Sequence, residues 1–221
     1  MKVVLLSSIY GGYDTVKPLP EGHGFDEAII ISDNPNIDTA DGWKFRFEPT
    51  GGLSPRMAAK LPKLQPFDFV DADIVVWLDG SFQIVDTRFK EFCLDSLQDK
   101  DFVTWRHPDR HERNCLYAEA EYCGHWPKYS SYAISEQVQH YRGQGMPEGF
   151  GLWACGTIVW RNTPAAKEFG RLWLMENIRW SIQDQISFPY LIWKHQPNFG
   201  EFDEHEYDNP YLVWQKHRGD S

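Results

Sequence analysis

The chain predicts an α/β protein with a mostly parallel central sheet flanked by helices. Three observations carry that expectation. Apolar runs of strand length recur along the first half, helical periodicity falls between several of them, and one run, Ile74-Val75-Val76-Trp77-Leu78, is apolar at every position. A strand covered on only one face alternates; a continuous run is expected where both faces are covered, as in parallel sheets. Early strands alternating with helices fit crossover connections.

The elements follow in order. Strand-like runs lie at 3–9, 28–32, 73–78, 82–85, 102–105 and 154–160. The first could pass for a secretion signal, but its apolar stretch is only Val3 to Leu6 and Gly11-Gly12 follows at once, so it reads as a buried strand. Helices are expected at 54–64, 87–97 and 182–194, with Pro189 kinking or splitting the last. The clearest helix begins at Thr163-Pro164, an N-cap followed by proline at the first helical position, after which Phe169, Leu172 and Trp173 share a face. Residues 107–151 have weak periodicity and much Tyr, Gly, Glu and Arg, which marks an insertion of short helices and loops over one end of the sheet.

Composition removes several function classes. The 221 residues suit one domain without repeats, and a formal net charge of -10 with no basic patch argues against a nucleic-acid partner. Cys93, Cys115, Cys123 and Cys155 lack zinc-site spacing and read as reduced, buried thiols. No stretch approaches the ~20 apolar residues of a membrane span, so a soluble, cytoplasmic protein is expected. Aromatic residues make up 15% of the chain, with ten Trp; most belong in the core, and a minority lining a cleft would suit the C–H face of a sugar. There is no P-loop, dinucleotide fingerprint, HExxH or GxSxG motif.

The candidate chemistry lies at strand ends. Asp79 closes the apolar run, where a turn explains Asp-Gly and a ligand at the carboxyl end of a parallel strand explains it equally. Tyr10-Gly11-Gly12 follows the first strand and exposes amides to which a phosphate can come close, though a plain turn accounts for them too. Asp33 ends the second strand, as a turn residue or as an acceptor for a ribose hydroxyl; the residues alone favour the turn. Arg56 and Lys60 are four apart on an expected helix, so they point the same way, toward an anion or toward solvent. Asp184 and Gln185 sit in an apolar segment, where a buried acid must be paired. The cluster Arg106, His107, Arg110, His111, Arg113, Glu119 and Glu121 reads mainly as a solvated face.

Several stretches together, "IYGGYD", "ISDN", "RMAAKLPKLQPF", "WLDGSFQI", "RHPDRHERNCLYAEAE", "GLWACGTIVWRN", "QDQISFPYLIWK" and "NPYLVWQKH", resemble a glycosyltransferase-like family. It includes plant proteins once labelled alkaline ceramidase and later linked to mucilage polysaccharide synthesis. The match runs from Met1 to about His217, and its order and spacing are similar to GT-A glycosyltransferases, the glycogenin-like group among them. The resemblance implies one GT-A-like, Rossmann-like domain over 1–221, with a nucleotide-sugar half at 1–106 and an acceptor half at 107–221. It implies that Tyr10, Gly11 and Asp33 bind the nucleotide and that Arg56 and Lys60 approach the diphosphate. Asp79 and Ser81 would stand at the DxD position, Asp79 and His217 would hold a manganese or magnesium ion, and Asp184 with Gln185 would face the transferred sugar. The partners implied are a nucleotide-sugar donor and a glycan or other hydroxyl acceptor. The motif reads Asp79-Gly80-Ser81, so its second carboxylate is missing. That departure leaves the metal requirement open and keeps an inactive sugar- or nucleotide-binding module as an alternative. A nucleotidyltransferase is a third reading, less favoured because it asks for more acidic metal ligands.

Overall fold

The computed structural model describes residues 1–215. In chain order these form β1 (Val3–Ile9), β2 (Glu27–Ser32), β3 (Lys44–Phe47), α1 (Pro55–Ala58), α2 (Lys60–Leu64), β4 (Ile74–Leu78), β5 (Phe82–Ile84), α3 (Phe89–Leu97) and β6 (Phe102–Arg106). Then come α4 (Leu116–Gly124), α5 (Ile134–Gly143), β7 (Trp153–Arg161), α6 (Pro164–Arg179), α7 (Asp184–His195), β8 (Phe199–Glu201) and β9 (Leu212–Trp214). Seven strands make one sheet in the order β3-β2-β1-β4-β7-β6-β8, and β5 pairs with β9 in a separate ribbon. Within the large sheet only β7 runs against its neighbours. The expected α/β class with a mostly parallel sheet is therefore what the chain adopts.

The continuous apolar run behaves as its pattern requires. All five residues of β4 are buried, with Val75 and Trp77 in the core beneath α2, α6 and α7 and Ile74, Val76 and Leu78 in the core beneath α3. Each such side chain taken out of water contributes roughly 1.5–3 kcal/mol, so the centre of the sheet is the most strongly anchored part of the fold. The four cysteines are buried and unpaired, and no helix among the described residues is long and apolar enough to cross a membrane.

Two departures have local causes. The helix expected over 54–64 is two short pieces meeting at Ala59, with the Ser54 side chain accepting from the Met57 amide at its start. Pro189 does not split α7, which continues from Asp184 to His195. The proline falls in the second turn, where only one carbonyl loses its partner, and both Phe188 and Tyr190 beside it are held in the core. Residues 107–151 do carry short helices, and α4 packs on α7. On α6, Gly170 makes room for a neighbouring helix. A Cβ there would lie 2.0 Å from the Leu64 carbonyl oxygen, so only glycine lets α6 seat against the end of α2.

Candidate functional site

The sheet order creates the site. β1 is flanked by β2 on one side and β4 on the other, so the chain leaves the carboxyl ends of β1 and β4 in opposite directions and a crevice opens between them. A cleft of about 590 Å³ lies there, and its walls include Tyr10, Gly11, Arg56, Lys60, Asp79, Ser81, Asp184 and Gln185. Eight residues singled out in the sequence thus meet in one place. Asp33 stands behind the cleft, accepting the Gly11 amide at 3.0 Å, so it braces the glycine turn after β1. His217 lies outside the described residues.

The strand side of the cleft is set by backbone. Gly11 has φ +64°, and a Cβ on it would meet the Pro55 ring at 2.9 Å, so glycine is required for both conformation and space. The Asp79 amide donates to the Gly156 carbonyl at 2.7 Å, and its own carbonyl accepts the Phe82 amide at 3.0 Å, which closes the Asp-Gly turn. The Ser81 carbonyl accepts the Gln215 amide at 2.8 Å, so the strand that ends the described chain lies on this turn. Burial, followed by Glu48 and Asp33, pushes the Tyr10 phenol up to about 12.

The helical side is set by charge. Asp184, at the start of α7, accepts Asn177 Nδ2 on Oδ1 at 3.0 Å, and on Oδ2 receives Lys60 Nζ at 2.5 Å and Lys63 Nζ at 2.8 Å. Lys63 also reaches both Asp79 oxygens, at 3.2 and 3.3 Å, and Trp77 Nε1 donates to Asp79 Oδ1 at 2.6 Å. The Lys63 and Asp184 side chains are 4% and 7% exposed, against 32% for Asp79. Burial alone would raise the Asp184 carboxyl, but Lys60 and Lys63 outweigh it and hold the group well below the usual carboxylate range. Burial alone would lower the Lys63 ammonium; Asp184 and Asp79 reverse that and push it up. Arg56 sits at the rim, its guanidinium 5.2 Å from the Tyr129 ring centre and donating to the Lys128 carbonyl at 3.1 Å, with no carboxylate partner among the described residues.

Sequence reading missed three contributors. Lys63 was not singled out, because its partners lie 16 and 121 positions away. Glu206 lines the cleft behind Gly156, where a Cβ would come 3.1 Å from its Oε1, and is 2% exposed. Burial and then the nearby Asp79 push its carboxyl up to about 8. Gln183 links the insertion to the site, donating from Nε2 to Glu119 Oε1 and Gln185 Oε1, both at 2.9 Å. Arg113 in turn pairs with Glu119 at 3.1 Å, so part of the charged stretch read as a solvated face is a buried brace beneath the site.

Among the described residues, a divalent ion meets a poor set of donors. Hard cations ask for carboxylate oxygens with open lone pairs. Both Asp79 oxygens already receive a buried ammonium, Ser81 brings no charge, and no group of three His, Cys, Asp or Glu gathers among the described residues.

Comparison with known proteins agrees with this fold. Mouse xyloside xylosyltransferase 1, in its apo form, superposes with a TM-score of 0.52 over 92% of this chain and 86% of its own, at 10% identity. A CMP:2-keto-3-deoxy-manno-octonic acid synthetase complexed with CTP gives 0.50 over 91% and 89%, at 16% identity. At such identities the likeness concerns the fold, and it bears out the GT-A-like architecture. No curated protein matches the chain. The profile of the TOD1/MUCI70, glycosyltransferase-like domain matches residues 53–210, a stretch that carries α1, α2, the Asp79 turn, the insertion, α7 and Glu206. The chain belongs to the TOD1/MUCI70 glycosyltransferase-like family, as its motifs implied.

Proposed function

We propose that the protein transfers a sugar from a nucleotide-sugar donor to a hydroxyl of a glycan or other acceptor. The observation that carries this reading is that one cleft, at the β1/β4 switch point, brings a glycine turn, a basic rim and the Asp184-Gln185 pair face to face. Tyr10 and the Gly11 turn suit the nucleoside end, where the carboxyl ends of parallel strands receive ligands. Arg56 and Lys60 suit the diphosphate, because guanidinium and ammonium groups make the stronger, charge-assisted hydrogen bonds to phosphate. Asp184 is fully engaged, so its part is to fix the two lysines, while Gln185 beside it is the group left to meet sugar hydroxyls. Tyr129, Tyr132, Tyr207 and Trp214 add aromatic faces to the same walls, the surface expected for sugar rings.

The test is a thermal-shift screen of nucleoside diphosphates and nucleotide sugars, since a ligand that binds only the folded state raises its stability. Hexose and pentose donors both belong in it, given the xylosyltransferase among the structural neighbours. Hydrolysis or transfer of one stabilising donor supports an enzyme. Stabilisation without any turnover supports the second reading, a binding module, which the missing carboxylate at Ser81 favours.

A further inference from the structure

The nucleotide-sugar reading of the cleft raises the question of what balances the donor's negative charge, and the inference drawn here rests on that reading. Asp79 stands at the turn where a metal-dependent site would present its first carboxylate. Its Oδ1 is shared by the Trp77 indole and the Lys63 ammonium, and its Oδ2 receives the same ammonium. Lys63 is not a surface base that swung inward. It belongs to the buried face of α2, its carbonyl accepts Trp160 Nε1 at 3.1 Å, and its Nζ bridges Asp79 and Asp184 from below the cleft floor. Ser81, two residues on, is a buried hydroxyl in place of a second charged ligand.

We propose that Lys63 occupies the position beside Asp79 that a divalent cation would take, so that this cleft binds a nucleoside diphosphate without metal. Two lysines and two aspartates balance one another across the floor, and Arg56, stacked on Tyr129, adds a positive charge at the rim. An incoming diphosphate therefore meets ammonium groups already held in place by the fold, with Arg56 supplying the positive charge that the aspartates do not cancel. A cation held by the fold needs no recruitment from solution and loses nothing to a chelator.

The experiment is calorimetric titration with uridine, guanosine, adenosine and cytidine diphosphates, in manganese and in chelator. Wild type should bind its preferred diphosphate with the same affinity in both buffers, within about threefold. Asp79→Asn releases Lys63 from one partner and should hold or tighten that affinity in both buffers, whereas loss of a metal ligand would weaken it in manganese. Lys63→Met should weaken binding about tenfold in both buffers, the loss expected for one charge-assisted contact. Should that variant not fold, Lys63→Met combined with Asp79→Asn restores the charge balance and should show the same loss in both buffers. Wild-type affinity that rises tenfold or more with manganese, and falls in Asp79→Asn, overturns the inference and leaves the nucleotide-sugar reading standing. Absence of binding by every diphosphate in both buffers overturns both.

Discussion

On one side of the cleft, Tyr10, Gly11, Gly80 and Ser81 are held at the ends of β1 and β4 by sheet register and by hydrogen bonds made to their main chain. On the other side, Lys60, Lys63 and Asp184 are held chiefly by one another. The strand side takes its shape from backbone, so most of its side chains can change without moving the wall. The helical side takes its shape from a buried charge network, in which each member is costly to bury without the others. The comparison teaches that a single substitution should disturb the two walls very unequally.

The largest effect follows from removing the shared acid. Asp184→Asn leaves Lys60 and Lys63 without their common carboxylate, and breaking a buried pair from one side costs about 3–5 kcal/mol. Urea unfolding should show that loss, together with a weaker affinity for diphosphate in whatever fraction stays folded. A small loss would show that solvent reaches the helical wall and that the contrast between the walls is shallow.

Glu206 sharpens the comparison through pH. Its folded carboxyl is raised from 4.5 to about 8, so the folded state holds this proton more tightly than the unfolded chain does. The sign follows from linkage: the contribution is complete below the unfolded value and is lost as pH climbs toward the folded one. Stability should fall by a few kcal/mol between those limits, and Glu206→Gln should lack that slope, matching wild type in acid and exceeding it above about pH 8. Chemical denaturation across that pH range measures it; parallel curves for the two proteins would show that Glu206 is paired.

How much of this was legible in the sequence divides along the same line. β4 and its terminal Asp79 could be read because an unbroken apolar run has one simple explanation, and β1 with its glycine turn for the same reason. The edge strand β3 escaped because it is largely exposed and carries charge, and β8 and β9 because they lack the buried alternation that made the equally short β5 readable. The strand wall is local in sequence. The helical wall is not: nothing in "KLPKL" announces that Lys63 will be buried against acids from β4 and α7, since that burial is created only when α6 closes on α2. Arg113 was misjudged for a related reason, because its buried partner Glu119 is revealed only when α4 packs on α7.

That closure can be tested at Gly170. A Cβ would meet the Leu64 carbonyl, which is backbone and cannot swing aside, so Gly170→Ala should cost about 1–3 kcal/mol as an overpacked contact. Its melting temperature should drop, and diphosphate affinity should drop with it if α2 is displaced. Unchanged affinity in a destabilised variant would mean that the lysines hold their places independently of α6.

The smallest change in energy tests the central claim, that the cleft receives a nucleoside diphosphate, most directly. Arg56 lies at the rim, outside both buried networks, so Arg56→Ala should leave the fold intact while removing the cation that the proposed function assigns to the phosphates. Calorimetry should be run on wild type and variant with the preferred nucleoside diphosphate and with the matching bare nucleoside. The account predicts that the diphosphate loses about tenfold in affinity while the nucleoside is unaffected. Equal losses for both ligands, or a wild-type protein that binds no diphosphate at all, would contradict it.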